Sequence, residues 1–118
     1  MITFAELSQK IINNEIPTED LIHYLSKDYL GIAGVVIMRL INEKYCNEEI
    51  VEKLVSFRHL LNGNKFVGPW QYGHVAIAAL YLFQDKRASE KYKEIYNDLS
   101  SNDRFLVDNF IATEAYKY

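Results

Sequence analysis

Residues 30–41 read Leu-Gly-Ile-Ala-Gly-Val-Val-Ile-Met-Arg-Leu-Ile, and residues 75–83 read Val-Ala-Ile-Ala-Ala-Leu-Tyr-Leu-Phe. In both stretches the apolar side chains surround a helix axis instead of lying along one stripe, which predicts helices buried on every side. The first runs from about Leu30 to Lys44 and the second from Trp70 to about Gln84. Two such helices must be central, and the rest of the chain must cover them. β-Branched residues cluster only within these two segments, no run alternates polar with apolar, and no Asn-Gly turn joins two strand-like stretches. The fold class expected is therefore all-α.

Around the central helices the sequence reads as amphipathic helices with short connections. Thr3 followed by Glu6 has the spacing of a capping box, ahead of a stripe of Phe4, Leu7, Ile11 and Ile12. Pro17 breaks the chain, and Thr18 is the expected N-cap of a second helix with Glu19 and Asp20 in its first turn. Asn47 caps a helix carrying Ile50, Val51, Leu54, Val55 and Leu61, which Asn62-Gly63-Asn64 closes. The segment Gly63–Gly68 reads as a loop. Ser89 to Leu99 turns Tyr92, Ile95, Tyr96 and Leu99 inward, and a last helix capped by Ser101 or Asn102 carries Phe105, Leu106, Phe110 and Ile111. Six or seven helices result.

The 118 residues are 49% hydrophobic and 25% charged, the makeup of one ordinary globular domain spanning 1–118, with a core that needs no disulfide or metal staple. The formal charge of −3 argues against nucleic acid or an anionic membrane as partner and favours a basic one. Residues 1–59 carry nine acids and six bases, and residues 60–118 seven of each, so the acidic surface belongs to the N-terminal half. Cys46 is the single cysteine, which suits a reducing, cytoplasmic setting, and the acids that follow it at Glu48 and Glu49 should raise its pKa. No basic region leads into an apolar stretch at the start, so no secretory signal is read there. The charge-free run from Phe66 to Gln84 is nearly long enough to span a bilayer, but Gly-Pro at its start and the polar Gln71 and His74 within it favour a buried helix.

Sliding the third helix by forty residues onto the fifth matches Val35 to Val75, Ile37 to Ile77 and Leu40 to Leu80, with Ala33 over Gly73. With the alternation of polar and buried helices, the chain resembles a short HEAT-like α-solenoid, with units at Glu19–Lys44, Glu48–Lys86 and a degenerate third from Ser89 to Tyr116. The resemblance implies a right-handed stack of helix pairs with an extended binding surface. Asp28 fits the turn of such a repeat. Ala33-Gly34 and Gly73-His74 stand where the repeat's arginine would be, which leaves an irregular helical bundle as the alternative.

No signature of zinc, serine-hydrolase or P-loop chemistry is present. His23, His59 and His74 fall in different helices and are read as structural or surface histidines, so neither a metal nor a cofactor is expected. Glu48, Glu49 and Glu52 are read as offsetting the dipole of their helix, a role compatible with binding a partner. Arg39, the one charge in its apolar stretch, is read as a snorkelling stem or an internal ion pair with Asp20 or Glu43. Trp70 and Tyr72 open a buried helix as either interface anchors or core caps. Two functions follow. The first is a non-enzymatic module that binds a basic protein through Asp20, Glu48, Glu49, Glu52, Trp70 and Tyr72, such as an immunity protein neutralising a toxin. The second is a small-molecule or enzymatic pocket between helices, with Arg58, His59, Tyr72 and His74 as its polar groups.

Overall fold

The computed structural model describes residues 3–117. Helix α1 (Phe4–Ile12) is followed by two 3₁₀ segments, Thr18–Tyr24 and Lys27–Tyr29, and then by α2 (Leu30–Glu43) and α3 (Glu48–Ser56). A hairpin of β1 (Lys65–Val67) and β2 (Trp70–Gln71) leads into α4 (Tyr72–Leu82), α5 (Lys86–Asp98) and α6 (Ser101–Ala112). The fold is mostly helical, and that hairpin is the sole sheet among the described residues.

The two apolar stretches are central, as their composition requires. Nine of the 14 residues of α2 are buried, and nine of the 11 of α4, from Tyr72 through Leu80. Helices α2, α4 and α6 lie side by side in that order, while α3 and α5 pack on α4 and on each other. Among the described residues no single helix is long and apolar enough to cross a membrane.

Side-chain caps set most boundaries. Thr3 accepts from the Glu6 amide at 3.1 Å, Asn47 from Ile50 at 2.9 Å, Asp85 from Ala88 at 3.1 Å and Ser100 from Asp103 at 3.1 Å, each satisfying an amide with no intrahelical partner. The first and second of these were legible in the sequence; α6 is capped by Ser100 where Ser101 or Asn102 was expected, and α5 begins at Lys86 behind its Asp85 cap, ahead of the expected start at Ser89. Thr18 caps nothing. Its hydroxyl donates to Glu43 at 2.6 Å and accepts from Arg39 at 3.1 Å, so α2 claims it, and the segment it opens is 3₁₀ instead of α. Arg39 is 4% exposed and also donates to Glu43 and to the Ile11 carbonyl, which identifies its ion-pair partner as Glu43 and not Asp20.

Helix α3 stops at Ser56, five residues before Leu61. There Ser56 donates to the Lys53 carbonyl and Arg58 to that of Val55, taking up acceptors a continuing helix would have used, while Phe57 turns fully into the core. Asn62-Gly63-Asn64 therefore leads into β1 and does not close a helix. The expected loop is a hairpin in register Lys65 to Gln71 and Val67 to Trp70, turned by Gly68 at φ +54°. Its strands are too short to show alternation. Phe66 fills a slot that exists because residue 34 has no side chain: a Cβ there would lie 2.4 Å from the ring. Two expected stripe residues face solvent, Phe4 on α1 and Phe105 on α6, 63% and 64% exposed, and Ile12 joins them at the end of α1.

Candidate functional site

Glu48 and Glu49 occupy the first turn of α3, behind the Asn47 cap, and Glu52 follows one turn later. All three are exposed, as is Asp20 on the first 3₁₀ segment, and none of the four stands within ion-pair distance of a base among the described residues. Glu48 and Glu52 border a groove of about 190 Å³ whose other wall is Arg87, Glu90 and Lys91 of α5. At Lys91 this groove meets a cleft of about 500 Å³, where Arg58, His59 and Leu61 face Glu94, Ile95, Asp98 and Leu99. Asp20 lines neither. The structure thus joins the α3 acids to an α5 wall that the sequence reading did not single out, although the recurrence of charge at three- and four-residue spacing along 87–98 was visible.

The expected pocket residues are divided. Arg58 and His59 line the larger cleft, but Tyr72 and His74 do not: both are buried, on α4. The His74 Nδ1 accepts the Gln71 amide at 3.0 Å, and the Gln71 side chain caps the same turn, completing a capping box in which histidine takes the usual place of glutamate. With Nδ1 an acceptor, Nε2 is the nitrogen that donates, here to Asp103 at 2.8 Å. Asp103 accepts the Ser100 hydroxyl on its other oxygen at 3.0 Å. Both ring nitrogens are occupied, so this His–Asp pair holds the starts of α4 and α6 together and has no free nitrogen for a substrate.

Tyr72 packs its ring 5.0 Å from Phe66, and burial pushes its phenol above the usual range. Trp70 is half-buried, donates from its indole to the Leu106 carbonyl at 3.0 Å and meets Phe110 edge-on at 5.4 Å. The Cys46 thiol is half-buried and pushed up to about 11, first by burial and then by Asp85, with Arg87 opposing. The acids responsible are therefore not Glu48 and Glu49. On the other side of α5, Tyr81, Tyr92 and Tyr96 form a ladder with centroids 5.2 and 5.3 Å apart, and Arg104 lies over the Tyr96 ring. Burial, with Asp108 beside it, pushes the Tyr92 phenol up to about 12.

Among the described residues no three His, Cys, Asp or Glu side chains gather closely enough to hold a metal ion. No family model, no curated protein and no solved structure matches the chain.

Proposed function

We propose that this chain is a non-enzymatic protein-binding module, a small acidic inhibitor of the immunity type that neutralises a basic, toxin-like protein in the cytoplasm. The observation that carries the reading is the state of the α3 carboxylates. Among the described residues Glu48, Glu49 and Glu52 are exposed and without ion-pair partners on a capped helix, while Arg39 and Arg104 are spent on an internal carboxylate, carbonyls and a ring. A fixed set of free acids steers a cationic partner and adds to its rate of encounter. The order α2, α4, α6 in one row, with α3 and α5 in another, supports the finer reading of the fold as a short HEAT-like stack, which presents such helices along one side. Trp70 and Tyr72 then contribute from beneath, by holding the hairpin and the start of α4 against α6.

The test is capture on the immobilised chain from its own source, followed by association kinetics with the captured protein. A basic partner whose association rate falls at least about tenfold between low salt and a Debye length near 8 Å supports the reading. So does a comparable loss in Glu48→Lys/Glu52→Lys with an unchanged circular dichroism spectrum. A partner indifferent to both salt and reversal removes the acidic-face mechanism, and a captured small metabolite in place of a protein moves the function to the Arg58–His59 cleft.

A further inference from the structure

The groove along α3 and α5 has a charge pattern of its own. The two helices run in the same direction along it, since Glu48 and Glu52 stand opposite Arg87 and Lys91, and Arg58, just past the end of α3, stands opposite Glu94 and Asp98. At the first end the α3 wall is acidic and the α5 wall basic; at the second end the signs are exchanged, with Glu90 the one acid out of order. Among the described residues no pair of these groups closes across the groove to within 4 Å; Lys91 pairs with Glu94 at 3.7 Å within α5, and Arg87 with Asp85, the cap of the same helix, at 3.5 Å. Between the walls, Val55, Ile95 and Leu99 are half-buried and partly open to solvent. An occupant has to bring apolar side chains for that floor and the opposite charge at four places.

From this arrangement we infer that the groove between α3 and α5 is the seat of a second copy of this chain, related to the first by a two-fold axis along the groove. Such an axis lays each copy's α3 wall over the other's α5 wall. Glu48 and Glu52 then meet Arg87 and Lys91 of the second copy, and Arg58 meets its Glu94 and Asp98, each pairing occurring twice because a two-fold interface is isologous. A partner of one sign would be attracted at half of these positions and repelled at the other half, so the pattern selects a surface with the same alternation, and the chain itself carries one. The inference goes beyond the proposed inhibitor function and does not depend on it. If both hold, the second copy and the basic partner compete for Glu48 and Glu52.

The full chain alone tests it by sedimentation over a concentration series. The wild type is expected to rise from 13.8 kDa toward twice that mass, with the midpoint moving to at least about tenfold higher concentration in high salt. Glu48→Lys/Glu52→Lys and Arg87→Glu/Lys91→Glu are each expected to weaken self-association by at least about tenfold, and an equimolar mixture of the two to restore it, because each altered wall then faces its complement. Were a reversal variant to lose its circular dichroism spectrum, the Gln versions of the same four positions serve, with weakening expected but no rescue on mixing. A wild type that stays monomeric to about millimolar concentration overturns the inference, as does a dimer unmoved by either reversal or a mixture that fails to recover. A monomer that still captures a basic partner sinks this inference alone; a dimer that captures none sinks only the inhibitor reading.

Discussion

Helices α4 and α5 are consecutive and of similar length, 11 and 13 residues, and they are built on opposite plans. Nine residues of α4 are buried; in α5 only Ala88 is. Helix α4 is held by what surrounds it, so its position along and about its axis has to be fixed by something other than a polar-to-apolar boundary, which it lacks. The capping box of Gln71 and His74, with Asp103 beyond it, supplies that fix. Helix α5 orients itself by amphipathicity and needs only a start signal, Asp85. Packing without direction thus calls for a buried polar anchor, and direction without much packing calls for a cap.

The largest effect that would break this contrast is in the middle of α4. Leu80 is fully buried, and Leu80→Ala is expected to cost about 2 to 5 kcal/mol in chemical denaturation, whereas a loss below about 0.5 kcal/mol would mean the helix is not enclosed. Next comes the anchor. His74→Ala leaves the Gln71 amide and one Asp103 oxygen without partners, and a cost of about 1 to 3 kcal/mol is expected. Asp103→Ala should cost less when added to His74→Ala than on its own; strict additivity would show that the pair does not act as a unit.

For α5 the smaller term is the cap, about 0.5 to 2 kcal/mol for Asp85→Ala. The amide of Ala88, helped by Arg87, holds the Asp85 carboxyl below the usual carboxylate range. Its folded-state pKa being the lower one, this contribution is present above the ordinary carboxylate pKa near 4 and is lost as pH falls through the folded value. The difference between wild type and Asp85→Ala should therefore shrink in acid, and a difference independent of pH from 7 to 2 would contradict the cap. The smallest effect lies beside the start of α5. A thiol at about 11 instead of 9 is roughly 100-fold less ionised at pH 8, and with the higher nucleophilicity of the more basic thiolate set against that, Cys46 should alkylate about tenfold more slowly in the folded chain than in urea. Cys46→Ser should shift stability by less than about 0.5 kcal/mol.

Much of this contrast was legible in the residues themselves. Encirclement by apolar side chains marked α2 and α4 as central, and the caps at Thr3 and Asn47 stood at the right positions because both act within three residues of chain. What escaped the sequence depended on partners far along it. Thr18 looks like a cap until Arg39 and Glu43 claim its hydroxyl, and α3 looks five residues longer until Phe57 turns inward. Tyr72 and His74 share a helix face with nothing from Arg58 and His59, so the expected pocket came apart, and the α5 wall across from Glu48 and Glu52 emerged only when the two helices were laid side by side.

The slot at Gly34 has a consequence for how the molecule opens. Phe66 enters it from β1, and the same hairpin delivers Gln71 to the start of α4 and Trp70 to the Leu106 carbonyl of α6. The ring is thus a latch whose keeper is a missing methyl group on a third helix. Gly34→Ala fills the keeper, and the amides of residues 64–75 and 103–107 should lose hydrogen-exchange protection together while those of α1 keep theirs. Two segments far apart in the chain would behave as one hinged plate, released by a single carbon atom.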